Sequence, residues 1–250
     1  MPEPGPPRTP ENRARDARRM KAVILAACAL AFAAAPLAFP FAGFDPEMFP
    51  QPQRDPPVQP AGYAFGIWGP IYLWLLVSAA FGLIKRGDSP AWDAPRWPLA
   101  GSLVVGAAWL PVAQTDAVWA TILIWAMLIL ALAALFRTPA DTDRWLLRAP
   151  IALYAGWLTA ASWVSIGLTG AGYGIALAEY GWAIVGLLGA LATAGGVLWR
   201  LPRIPLYAAA VVWALIAVAV ANYAEAWSLV VLALAGAVAM AGLGYRNART

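Results

Sequence analysis

The sequence predicts an all-α polytopic membrane protein with about eight transmembrane helices, on three observations. Of its 250 residues, 62% are hydrophobic and only 12% charged, with a mean hydropathy of +0.65; a soluble domain carries about twice that charged share. The apolar residues fall in runs near the ~20 residues that cross a bilayer as a helix. Lys and Arg gather in alternate connections between these runs, as they do where one membrane face collects the basic residues.

Residues 1–21 are rich in Pro and Arg and read as a disordered basic tail. Ala22 to Phe44 is the first span. A signal peptide cleaved near Ala33-Ala34-Ala35 and a lipoprotein box at Leu25-Ala26-Ala27-Cys28 are its rivals. Only six apolar residues separate Lys21 from Cys28, short of the roughly 7–15 that a signal core carries. Between Asp45 and Pro60 the chain turns polar, with six prolines (46, 50, 52, 56, 57 and 60). Proline at that density resists helix and stiffens the chain, so the segment reads as a structured flap over the next helix.

The remaining spans are Ala61 to Ile84, Leu99 to Gln114, Ala117 to Phe136, Ile151 to Thr169, Ile175 to Trp199, Pro205 to Ala221 and Trp227 to Tyr245. With the N-terminus inside, the inner segments hold Arg8 to Lys21, Lys85/Arg86/Arg96, Arg137/Arg144/Arg148, Arg200/Arg203 and Arg246/Arg249. Arg54 is the lone outer cation, beside Asp45, Glu47, Asp55, Asp116 and Glu225. The asymmetry predicts that both termini are cytoplasmic and that the flap faces outside.

Several function classes drop out. The absence of His removes His-centred triads, imidazole metal sites and the usual axial ligation of haem. One cysteine, Cys28, removes disulfide frameworks and paired-thiol motifs. The net charge of +4 and pI near 9.5 follow from membrane topology rather than from a nucleic-acid surface. No phosphate loop, carboxylate pair or nucleophile elbow is present. Gly170-Ala171-Gly172-Tyr173-Gly174 lacks the preceding strand that a nucleotide site needs. The expectation is a non-enzyme with no required cofactor.

Two features can carry chemistry. Glu179 falls about one turn inside the sixth span, where an acid costs about 2.5–3.5 kcal/mol and faces a cavity or partner; a later helix start would instead leave it as an N-terminal acid in the headgroups. That residue and the Gly-rich helices suit a secondary transporter. The second feature is the aromatic column Phe65, Trp68 and Tyr72 at the flap's end, with Gly62, Gly66 and Gly69 leaving room beside the rings. Of fourteen Trp, seven lie deeper than an interfacial belt requires: Trp68, Trp109, Trp125, Trp157, Trp163, Trp182 and Trp213. Such indoles either line a slot for a flat ligand or pack the bundle. A membrane scaffold docking through Gly189/Thr193 and Ala233/Ala237/Ala241 is a further alternative.

Pro60, Phe65, Gly66, Trp68 and Tyr72 resemble the second-helix signature Pro-Pro-x-x-x-Phe-Gly-Pro-x-Trp-x-x-x-Tyr of the translocator or tryptophan-rich sensory protein (TspO/MBR) family. Trp68 arrives one residue early, and Gly69-Pro70 follows it instead of preceding it. Gly106-Ala107-Ala108-Trp109-Leu110-Pro111 is similar to the family's Asn-x-x-Trp-Ser-Pro without the Asn and the Ser. Tyr154, Trp157 and Thr159 match its Pro-Tyr-x-x-Trp-x-Ser, with Trp163 and Ser165 at later aromatic and Asn positions. The resemblance implies a five-helix TspO-like bundle over residues 22–173, with 174–250 a three-span extension outside the five-span pattern. It implies a pocket under the flap for porphyrin or another planar hydrophobic small molecule, acting in sensing, regulation or transport. By position, Phe65, Trp68, Tyr72, Trp109, Tyr154, Trp157 and Trp163 would line that pocket, with Arg54 facing a propionate at its mouth. Gly106 and Ser165 remove amide groups from the wall. Without His, free porphyrin suits the pocket better than tightly ligated haem. The lipid bilayer is the other partner, and a homodimer is among the admissible assemblies.

Overall fold

The computed structural model describes residues 9–41 and 43–249. Nine α-helices account for most of them: α1 (Pro10–Ala38), α2 (Trp68–Arg86), the four-residue α3 (Pro90–Asp93), α4 (Arg96–Ala113), α5 (Ala117–Phe136), α6 (Arg148–Gly172), α7 (Glu179–Arg200), α8 (Pro205–Asn222) and α9 (Trp227–Arg249). Short 3-10 turns at Pro46–Met48 and Gly62–Ile67 precede α2. Seven helices are long and apolar enough to cross a membrane, α2 counted with its 3-10 turn. The remaining long helix, α4, starts on Arg96-Trp97-Pro98 and packs between α1 and α5. Among the described residues there is no strand, and the chain is an all-α polytopic membrane protein.

Both boundaries of the first span differ from those read in the sequence. Residues 10–21, expected as disordered tail, are the first turns of α1. Thr9 caps them, its Oγ1 accepting from the Asn12 N–H at 3.3 Å, with Pro10 and Glu11 opening the helix; all three types favour a helix start. Residues 1–8 of that tail lie outside the described residues. The helix also ends at Ala38, short of Phe44, because Pro40 drives Phe39 out of helical conformation (φ −131°, ψ 77°). Phe41 and Phe44 then pack back into the bundle.

The basic end is tied together by charge-assisted hydrogen bonds. Buried Arg96 donates to the carbonyls of Gly87 (2.9 Å) and Arg86 (2.8 Å), acceptors that the end of α2 leaves open, and to that of Arg18 in α1 (2.9 Å). Asp143, in the α5–α6 connection, accepts from Arg86 Nε and from Trp92 Nε1, each at 2.8 Å. The Arg86 hydrogen bond, with Trp92 and the Arg86 charge adding to it against the cost of burial, holds the Asp143 carboxyl below its ordinary range.

Helix α6 is the axis of the bundle and is buried along nearly its whole length. Its Gly156 lies against the Tyr207 carbonyl and the Ala210 methyl of α8, and Thr159 Oγ1 shares a 2.7 Å hydrogen bond with the Tyr207 hydroxyl. Across α7, the Trp182 ring covers Gly170 and the Trp163 ring covers Gly189, with Trp163 Nε1 donating to Thr193 at 3.0 Å. Gly189 and Thr193 therefore face α6 and are half-buried, Ala233 and Ala237 are buried, and Ala241 is exposed. One hydrophobic core runs from α1 through α9, so helices on both sides of residue 173 share it.

Candidate functional site

Three elements bring most of the predicted aromatic residues together. Trp68 opens α2, so Trp68 and Tyr72 stand one turn apart and stack at 5.4 Å with 16° between their planes. On α6, Tyr154 and Trp157 share a face. Tyr154 lies 6.4 Å and Trp157 6.1 Å from the Trp68 ring, centroid to centroid, and Trp157 lies 6.2 Å from Phe65. Trp109 of α4 completes the group through Phe41, whose ring meets it edge-on at 4.8 Å.

Two small cavities run through this cluster. The inner one, about 150 Å³, is lined by Phe32, Phe41, Phe65, Trp68, Tyr72 and Trp109, with Gly106 and Met127 behind them. The outer one, about 50 Å³, lies under the flap, with Gln59 and Pro60 above Trp157, Ala161 and Ser165. Phe41, Phe65 and Trp109 border both and divide them. Gln59 and Pro60 also border a polar outer vestibule of about 520 Å³ that includes Asp55, Tyr180, Asn222 and Glu225. A two-residue partition thus separates the outer surface from the ring-lined interior.

The polar atoms of the cluster are unequally satisfied. Trp109 Nε1 donates to the Ala120 carbonyl at 2.8 Å. The Tyr154 hydroxyl shares a 2.9 Å hydrogen bond with Ser102, which itself donates to the Met127 carbonyl at 2.8 Å. Trp157 is 2% exposed, yet its indole N–H has no acceptor among the described residues. A buried donor left unpaired costs about 1–3 kcal/mol, and this one belongs to a residue on the outer cavity's wall.

Three expected residues lie elsewhere. Trp163 is six positions from Trp157, which turns it about 120° around α6, and there it packs on Gly189 and on Trp125 (5.3 Å) rather than lining either cavity. Arg54 is 76% exposed at its side chain and pairs with Glu47 at 2.7 Å, which raises its pKa, first through the hydrogen bond and then through the charge; it borders none of the cavities above. Glu179 is the first residue of α7 rather than one turn inside it, is partly exposed, and accepts from Gln53 Nε2 at 3.3 Å. Beside the rings, Gly66 and Gly69 face open space, with no atom near where a side chain would begin, and Gly62 borders the vestibule.

That position for Glu179 makes a prediction. An acid at a helix N-terminus contributes about 0.3–1 kcal/mol. Glu179→Gln should therefore leave thermal unfolding of the detergent-solubilised protein within a few degrees of the parent and leave ligand affinity unchanged. Abolished transport of any solute by this variant, with the fold intact, would return Glu179 to a functional role.

Sequence reading missed Phe32, Phe41 and Phe44. Phe32 touches Tyr72, Tyr154 and Trp68 at 5.0, 5.6 and 6.0 Å, and Phe44 packs on Phe41 at 5.4 Å. Pro40, in Phe39-Pro40-Phe41, was the signal that the helix stops and the later rings turn inward.

The chain matches the family model described as TSPO-like protein over residues 20–245. The match passes residue 173 and continues into α7, α8 and α9. No curated protein and no solved structure matches the chain.

Proposed function

The chain belongs to the TSPO-like protein family, and from that premise we propose that it is a membrane-embedded, non-enzymatic binding protein for a porphyrin or similar planar hydrophobic ligand, held in the ring-lined cavities beneath the flap and handled there for sensing, regulation or transport. The observation that carries this reading is the Trp157 indole N–H, buried and without an acceptor in a wall of aromatic side chains. A flat ligand with a polar rim would stack on the rings and accept from that donor. Ligand pockets usually measure about 300–1,000 Å³, and the two cavities hold about 50 and 150 Å³. Binding therefore requires their shared partition to part. Phe41 is the element of that partition suited to moving, because it lies on the non-helical link after α1 whereas Trp109 is fixed within α4. The Gln59–Pro60 partition gives the route from the vestibule. In this reading the Arg-rich end faces the cytoplasm of a bacterium, with both termini there.

The test is tryptophan fluorescence of the purified protein titrated with protoporphyrin. We expect saturable quenching, with Trp157→Phe weakening affinity about threefold to tenfold, the range for one lost hydrogen bond. Trp68→Phe should weaken it through lost stacking, and Trp163→Phe should not. Non-saturable quenching, or equal affinity in the parent, Trp68→Phe and Trp157→Phe proteins, would remove this site as a porphyrin pocket.

A further inference from the structure

A crevice at the Arg-rich end, remote from the aromatic cavities, is built for a different ligand. It lies where α6 and α8 begin, and its lining combines Arg144, Trp145, Arg148 and Arg203 with the apolar side chains of Ala152 and Leu206. We propose that it binds the phosphate group of an anionic phospholipid, with the headgroup at the arginines and the first part of an acyl chain along the apolar wall.

Five observations converge there. Arg148 is 3% exposed; its Nη1 and Nη2 donate to the carbonyls of Thr138 (2.6 Å) and Pro202 (2.8 Å), while its buried Nε has no partner. First-turn residues of both α6 and α8 line the crevice, and both helices start without a side-chain cap, so the positive ends of two helix dipoles favour an anion there. Arg144 has no acid partner among the described residues and lies over the Trp145 ring at 5.1 Å. Arg203 sits at positive φ (57°) and is paired with exposed Asp141, so one carboxylate stands against three guanidinium groups. Trp145 is itself exposed and stacks on Trp74 at 6.3 Å, the type and position of an interfacial anchor. The enclosed part measures about 10 Å³, close to the ~10–15 Å³ that admits one water-sized atom. It would take a single phosphoryl oxygen and leave the rest of the headgroup at the bilayer surface. Basic clefts between membrane helices take anionic headgroups in this way.

The test uses the full chain in detergent, with lipid binding followed by native mass spectrometry. Phosphatidylglycerol, phosphatidylcholine and inorganic phosphate are the probes. Phosphatidylglycerol should be retained over phosphatidylcholine, and Arg144→Gln and Arg203→Gln should each reduce that preference about fivefold, the worth of one interfacial charge. Arg200→Gln removes a cation from the same end, one that rests on Trp199 outside the crevice, and should leave the preference unchanged. Because Arg148→Gln releases two connections and is at risk of misfolding, the exposed Arg144 carries the decision. Equal retention of the two lipids, or equal losses in Arg144→Gln and Arg200→Gln, would overturn the site. Inorganic phosphate displacing the lipid completely at millimolar concentration would assign the crevice to a soluble anion and overturn the lipid assignment.

Discussion

Gly156→Leu should abolish the folded protein, and Gly156→Ala should lower its stability by about 1–3 kcal/mol. A side chain at 156 would begin inside the contact distance of the Tyr207 carbonyl oxygen and 3.0 Å from the Ala210 methyl. The first of these is main chain within α8, which cannot rotate aside. Separating the helices enough to admit an isobutyl group would also break the Thr159–Tyr207 hydrogen bond. In lipid, helices associate through close contact of small residues rather than by excluding water, so no solvent term compensates the lost contact. Thermal unfolding in mild detergent checks this; a Gly156→Leu protein with the parental midpoint would mean that α6 and α8 do not meet as described.

Val58→Asp should unlatch the flap while leaving the bundle assembled. Val58 is 3% exposed and acts as a peg: its Cγ2 fills the notch between Gly167 of α6 and Gly186 of α7, 2.9 Å from where a side chain at either would begin. Secondary ties are the Gln51 N–H to the Gly172 carbonyl (2.8 Å), the Ala61 N–H to the Ala217 carbonyl (3.0 Å) and Asn222 Nδ2 to the Pro57 carbonyl (2.9 Å). Seating the valine contributes about 1.5–3 kcal/mol, and an unpaired carboxylate in its place adds a desolvation cost of several kcal/mol. The open population should rise at least ten- to hundredfold, since each ~1.4 kcal/mol is a factor of ten. Hydrogen exchange across residues 45–60 reads this directly, whatever the ligand. Unchanged protection in that segment would show that the peg does not hold the flap; loss of protection throughout α6 would show that it holds far more.

The aromatic slot was largely legible because its residues lie on regular helices. Phe65, Trp68 and Tyr72 follow from helical spacing, whereas Trp109, Tyr154 and Trp157 were placed by the family resemblance, and the folded helices bring them into the same ring cluster. Trp163 was misplaced because the resemblance assigned it by alignment position, whereas its angle around α6 turns it towards Gly189. Phe41 was counted as helix because hydropathy does not register that Pro40 ends one. Glu179 turned on a boundary of a few residues, and Ile175 to Ala178, apolar enough to extend the span, lie outside α7. Ala176 among them sits at φ 57°, a conformation no helix interior accepts. The Trp157 N–H and the Arg148 Nε were beyond sequence reading altogether, because an orphaned donor is defined only by what stands around it.

The enclosure of α6 also bears on how the protein is made. Of the seven helices apolar enough to cross a membrane, α6 is the least apolar and the most enclosed by its neighbours. It carries Thr159 and Tyr154 in its interior, with Ser162 and Ser165 alongside. A ribosome delivers this helix to the bilayer before α8 exists, so the Tyr207 hydroxyl that later partners Thr159 is absent when α6 first meets lipid. Until α8 arrives, the Thr159 hydroxyl is satisfied within α6 by the Ala155 carbonyl at 2.9 Å, and what the helix lacks is the packing of its α8 face. The final helices therefore complete the enclosure of the middle of the chain, and a copy truncated after α7 would leave the Gly156 face of α6 against lipid instead of against α8.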